Sequence, residues 1–133
     1  MKRTLLLVPL AAALALAVSG CQSVPDPASI STDKTVAELS QDGQSALDDN
    51  NYRAAEVYYQ LIIDRYGDDI GAKTAAEFEI AHIRLKKKAW TDAAARLDAI
   101  IARYDAEGGA GLPPEYLVLA KNDRARIPSS AKK

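Results

Sequence analysis

Two kinds of hydrophobic pattern divide the chain. From Leu5 to Val18 the run LLLVPLAAALALAV is apolar without interruption, whereas from Thr35 onward apolar residues recur singly, three or four positions apart. The second pattern belongs to helices with one buried face. Val36, Leu39, Gly43 and Leu47 make the first such stripe, opened by Thr35 and Glu38 at capping-box spacing. DDNN, Asp48–Asn51, breaks it and supplies an N-cap for a second helix. There Tyr52, Ala55, Tyr59, Ile62 and Tyr66 recur at i, i+3, i+7, i+10 and i+14, and Gly67 is the expected stop. After a DDIG loop, AKTAAEFEIAHIRLKKK predicts a third helix with Phe78, Ala81 and Leu85 on one side. Trp90, Ala93, Leu97, Ile100 and Tyr104 stripe a fourth. EGGAGLPP at 107–114 reads as a connector whose prolines open a fifth helix, running to about Arg124. No stretch alternates with period two over a useful length, so the expected fold is all-α.

The second and fourth stripes are one pattern written twice. Aligning Tyr52–Tyr66 with Trp90–Tyr104, 38 positions on, gives identity at Ala55/Ala93, Ile62/Ile100, Ile63/Ile101, Arg65/Arg103 and Tyr66/Tyr104. Repeated units of this length stack side by side. A further partial copy follows: EFEIA at 77–81 is echoed by YLVLA at 116–120. The fifth helix then either caps the stack or offers Tyr116, Val118 and their apolar neighbours to a partner.

These residues resemble the tetratricopeptide repeat, a helix pair with small residues at its eighth and twentieth positions. With Ala55 at the twentieth, Gly43 falls on the eighth, Tyr52 on the seventeenth, Tyr59 on the twenty-fourth and Ile62 on the twenty-seventh. Ala81, Trp90, Ala93, Leu97 and Ile100 take the same places in the second copy. The resemblance implies a short α-solenoid of two helix pairs, 35–67 and 72–105, plus a capping half repeat at 114–126. It implies close contact of Gly43 with Ala55 and of Ala81 with Ala93. Asp42 departs from the pattern at an apolar position, and Gly67 replaces the usual terminal proline. The resemblance also implies that the first helix of each pair lines a concave binding face, through Gln44, Leu47 and Asp48 in one copy and His82, Leu85 and Lys86 in the other.

The apolar run at the N-terminus means something else. Lys2 and Arg3 precede it, Ser19 and Gly20 follow it, and at 14 residues it is shorter than the ~20 that a membrane-spanning helix needs. Residues 1–20 therefore read as a signal peptide. VSGC, Val18–Cys21, resembles the lipobox of bacterial lipoproteins, which implies cleavage after Gly20 and covalent lipid on Cys21. Cys21 is the single cysteine, so no internal disulfide can form, and lipidation removes a bare thiol from an oxidising compartment. Two or three acyl chains would hold the protein stably, where one anchors only marginally. Gln22 rather than aspartate after Cys21 favours, by the same resemblance, the periplasmic face of the outer membrane. Residues 21–34, with Pro25 and Pro27 and no apolar periodicity, read as a flexible lipidated tether. IPSSAKK at 127–133 reads as a disordered tail.

Charge and chemistry narrow the function. The whole chain carries −1, and without Lys2 and Arg3 the remaining 15 Lys+Arg face 18 Asp+Glu, a net −3 that argues against a nucleic-acid binder. His82 is the single histidine and has no companion at metal spacing. EGGAG neither follows a strand nor carries the lysine of a phosphate-binding loop. No nucleophile or acid–base set is visible, so no cofactor and no catalysis are expected beyond the lipid on Cys21. RLKKK, Arg84–Lys88, reads as a solvated helix end whose cations complement the dipole, or as a contact for an acidic partner or lipid headgroups.

Lipobox, short tether and degenerate repeats, with YYQLIIDRYGDD and FEIAHIRLKKKAWTDAAARLDAIIARY, together resemble the BamD family over residues 21–125. That family is the lipoprotein subunit of the outer-membrane β-barrel assembly machine, and its members usually carry about five repeats. The resemblance implies a non-catalytic periplasmic scaffold that binds envelope proteins or peptides on its helical surface, as an accessory to barrel assembly. A scaffold for another envelope or transport complex is the alternative, and a cell-wall hydrolase would need a site that the sequence does not offer.

Overall fold

A computed structural model describes residues 23–106 and 109–131. The apolar N-terminal run, Cys21 and the end of the tail lie outside the described residues. The described chain is helical, without strands, and its main elements are α1 (Val36–Asp48), α2 (Tyr52–Tyr66), α3 (Ile70–Lys86), α4 (Trp90–Asp105) and α5 (Pro114–Arg126). Each helix packs on the next, and α3 also meets α5. This order is compatible with an α-solenoid. No helix among the described residues is long and apolar enough to cross a membrane.

Local chemistry sets the boundaries. The Thr35 side chain accepts from the Glu38 amide while the Glu38 carboxylate accepts from Thr35 N–H at 2.8 Å, completing the capping box. Asn51 caps α2 by accepting from Ala54 N–H at 3.2 Å. Only the first half of DDIG is a loop: Asp69 accepts from Ala72 N–H at 3.0 Å, so α3 begins at Ile70 and takes in the last two residues of that stretch. Gly67 does not adopt the left-handed conformation of a glycine stop, since its φ is −63°. Left-handed backbone appears instead at Asn50 (φ 56°) and Lys88 (φ 58°). After α1, Asn51 N–H donates to Ala46 O and Asn50 N–H to Leu47 O. After α3, Ala89 N–H donates to Arg84 O and Lys88 N–H to Leu85 O. Both are Schellman endings, in the same register 38 residues apart.

Two clusters of buried side chains form the core. Leu39, Ala55, Tyr59, Ile62, Ile80 and Ile83 belong to the first; Phe78, Ala81, Leu85, Ala93, Leu97 and Ile100 belong to the second. α3 thus has two buried stripes, Ala76/Ile80/Ile83 toward one side and Phe78/Ala81/Leu85 toward the other, because helices pack on both of its faces. Each fully buried Leu or Ile contributes about 1.5–3 kcal/mol, so α3 ties the halves together. The closest neighbour of Gly43 is the ring of Tyr59 rather than Ala55: a Cβ there would lie 2.8 Å from Tyr59 Cζ. Gly43 therefore makes room for an aromatic ring.

Both ends differ from expectation. Residues 23–34 are not a free tether but lie against α2. Asn51 Nδ2 donates to Ser23 O at 2.9 Å, and Arg65 donates to Ser31 O at 2.8 Å and to Ile30 O at 3.1 Å. Tyr66 Oη donates to Lys34 O at 2.7 Å, and Ile30 is buried in the first cluster. Asp42, out of place in an apolar pattern, is explained by Lys34 Nζ at 2.5 Å. In the tail, Ile127 is 2% exposed within the second cluster and Ser129–Ala131 form a 3₁₀ turn. Each polar segment thus buries one isoleucine, and the N-terminal one adds hydrogen bonds to α2.

Candidate binding groove

A groove of about 290 Å³ runs over α1, α3 and α5. Its small-residue floor includes Ala37, Ala75 and Ala76, and its polar heads include Gln44, Glu79 and the tyrosines 59 and 116. The sequence places these heads together by simple means. Gly43 admits the Tyr59 ring between α1 and α2, so that a side chain only 3% exposed still borders the groove. Phe78, from the second cluster, holds the Tyr116 ring at a centroid distance of 5.7 Å and the His82 ring at 5.9 Å. Glu79 lies between Phe78 and Ile80 in sequence and faces the groove where both neighbours face the core.

The electrostatics follow from partial burial. Desolvation raises the Glu79 carboxyl above its ordinary value of 4.5; the nearby His82 opposes the rise, Asp123 adds to it, and Lys86 opposes it least. Burial likewise pushes up the Tyr59 and Tyr116 hydroxyls, with the Glu79 charge contributing to both. Among the described residues, none of these three side chains makes a hydrogen bond or ion pair. They present a carboxylate and two phenol oxygens to open space.

The sequence-predicted residues fare unevenly. Gln44 and Tyr116 both line the groove. Asp48 is exposed one turn beyond and accepts from Gln44 Nε2 at 3.1 Å. His82 is tied to α5, with Nδ1 2.5 Å from Asp123 Oδ2; Asp123 also accepts from Arg126 Nη1 at 3.0 Å. Leu85 is a correction: at 4% exposure it belongs to the second cluster and presents nothing to a groove. Leu47 is partly buried and packed against the first cluster. Lys86 is exposed at the end of α3. Val118, 58% exposed, stands with Leu119 on the outer side of α5 and is not among the groove residues. Glu79 and Tyr59 are the residues that sequence reasoning missed; the signal for Glu79 was its position one turn before His82, as Gln41 is before Gln44.

The basic turn is partly occupied. Arg84 donates to Glu56 at 2.8 Å, and Lys87 Nζ lies 3.4 Å from the same carboxylate. Arg84 Nε is buried 3.0 Å from Asp92 Oδ2 but without hydrogen-bonding alignment. A larger hollow, about 400 Å³, lies beside these groups between residues 24–27 and helices α2 to α4. Its arginines 84 and 96 already pair with Glu56 and Asp92, whereas Arg53, also on its lining, makes no ion pair among the described residues. No cluster of metal-ligating side chains occurs among the described residues.

No protein-family model matches the chain, and no solved structure matches it. It is similar to an uncharacterized protein of Treponema pallidum (strain Nichols), 39% identical over 107 residues. The alignment covers 80% of this chain and 43% of that protein, so the chain spans less than half the length of this relative.

Proposed function

We propose that the protein is a lipid-anchored scaffold of tetratricopeptide-type helix pairs that serves outer-membrane β-barrel assembly as an accessory subunit, without catalysis of its own. The observation that carries the reading is the groove: it is lined mainly from α1, α3 and α5, which this reading makes the first helices of successive pairs, with Tyr59 of α2 at its border. The matching Schellman turns at a 38-residue offset support the repeat architecture, and the VSGC stretch supports the anchor at Cys21 on the periplasmic face of the outer membrane. An open, mixed-polarity groove of this size suits an extended segment of another protein.

Affinity capture of the lipidated protein from crosslinked membranes tests the client. Enrichment of barrel-assembly subunits is expected, and enrichment of a transport complex in their place would move the assignment to another envelope machine. Cys21→Ala is expected to release the protein from the membrane or leave it unprocessed. Unchanged lipid labelling of that variant would refute the anchor.

A further inference from the structure

The groove has one chemical peculiarity. It contains a carboxylate, no cation among its lining residues, and two tyrosine hydroxyls without hydrogen-bond partners. The cations nearest in sequence on α3 do not fill the gap. His82 is hydrogen-bonded to Asp123, and Lys86 makes no ion pair with Glu79.

We propose that the groove holds the ammonium group of a lysine carried by an extended segment of a partner protein, with Glu79 as counter-ion and the Tyr59 and Tyr116 hydroxyl oxygens as further acceptors. Lysine fits the donor count, since an ammonium has three N–H groups to distribute and no acceptor of its own. Burial of an uncompensated carboxylate is unfavourable, and the upward shift of the Glu79 carboxyl reports that cost; an ammonium beside it offsets the cost. A metal ion is a poorer match, because one carboxylate and two neutral phenols fall short of a hard-cation shell. The rest of the groove suits a polypeptide. Ala37, Ala75 and Ala76 leave space for a backbone, and the Gln41 and Gln44 amides, bordering the same floor, can both donate to and accept from it.

Fit within the groove is set by residues outside it. Gly43 fixes where the Tyr59 ring can lie, and Phe78 fixes the Tyr116 ring. A Cβ at position 43 would crowd the Tyr59 ring, 2.8 Å from its Cζ, and force a shift there.

The inference names the partner chemistry of the scaffold groove and so rests on that reading, but its test is separate. The whole chain in neutral detergent is titrated with an acetylated, amidated Gly/Ser heptapeptide bearing one central lysine, and followed by backbone amide shifts. Saturable shifts at Ser40, Gln44 and Tyr116 are expected. Replacing the lysine by norleucine, or the protein residue by Glu79→Gln, should weaken binding at least tenfold; Tyr116→Phe should weaken it severalfold. Equal binding of the lysine and norleucine peptides, or no loss with Glu79→Gln in a protein whose spectrum remains native, overturns the proposal. Equal binding of an arginine peptide overturns its restriction to ammonium. Absence of saturable shifts at those amides also overturns it. Capture of barrel-assembly subunits by the Glu79→Gln protein alongside a failed titration would sink the lysine site and leave the scaffold standing.

Discussion

Arg65 and Arg103 are the same residue one repeat apart, and they reach different things. Arg103 donates to the buried Thr74 hydroxyl at 2.7 Å and to Glu77 at 2.6 Å, both within α3. Arg65 donates to the backbone carbonyls of Ile30 and Ser31. The adjacent tyrosines diverge as well: Tyr66 reaches back to Lys34 O, whereas Tyr104 reaches forward to Pro113 O at 2.6 Å. Side-chain identity explains the arginines. The counterparts of Thr74 and Glu77, 38 positions back, are Val36 and Leu39, which lie in α1 but offer no acceptor. Where α3 supplies a hydroxyl and a carboxylate, the first copy uses the carbonyls of Ile30 and Ser31 instead. A conserved-looking sequence motif thus specifies a reach, and the chain lying within that reach decides the partner.

The comparison can be broken most forcefully at the arginines. Arg103→Met strands the buried Thr74 hydroxyl and leaves the partly buried Glu77 carboxylate unpaired, and should cost about 2–3 kcal/mol of unfolding free energy. Arg65→Met leaves carbonyls that water can approach, and should cost about 1 kcal/mol while exposing residues 23–34 to proteases. Denaturant unfolding and limited proteolysis read both effects. Equal losses at the two sites would mean that the lead segment is as integral as α3.

The paired turns sharpen the comparison at smaller amplitude. Lys88 holds a left-handed φ that costs a β-carbon-bearing residue energy, so Lys88→Gly should stabilise by about 0.5–1 kcal/mol. Asparagine tolerates that conformation better, so Asn50→Gly should gain no more than a few tenths of a kcal/mol. Thermal melts of the two variants side by side decide it, and a larger gain at Asn50 would reverse the ranking.

Glu79 gives the smallest effect and the one with a sign to work out. Its folded carboxyl titrates above the ordinary 4.5, so the folded chain binds the extra proton more tightly than the unfolded one. Stability attributable to it therefore falls as pH rises from 4.5 through the raised value, and it is recovered on acidification. Glu79→Gln should flatten that part of the stability curve and melt no lower than the parent at neutral pH. A variant that loses stability at neutral pH would show that the ionised carboxylate is already compensated.

The helices were legible because their signals are local. Thr35 with Glu38 and Asn51 with Ala54 act within one turn, and the Tyr59/Ile62 and Leu97/Ile100 stripes repeat at 3.6-residue spacing. DDNN marked the end of α1, but the left-handed turns at Asn50 and Lys88 escaped because neither uses glycine, the residue by which such turns are read. The order in residues 23–34 and at Ile127 escaped for a different reason. Composition averages over a segment, whereas a single buried isoleucine and an arginine 34 or 35 positions away act at one point. Gln44 and Tyr116, read from helix position, border the groove, whereas Leu85 is core because the same periodicity fits core and groove until neighbouring helices are placed.

The bond from Asn51 to the Ser23 carbonyl has a consequence for the proposed anchor. A free linker over 21–34 would let the domain roam through roughly 45–50 Å of extended chain. With Ser23 held at the start of α2, the covalent path from Cys21 spans at most about 7 Å. The start of α2 also lies beside the lysine-rich end of α3, through Glu56 and Lys87. If Cys21 carries the proposed lipid, a partner confined to the same bilayer would meet this protein within a narrow range of heights, and encounter becomes a two-dimensional search along the lipid sheet.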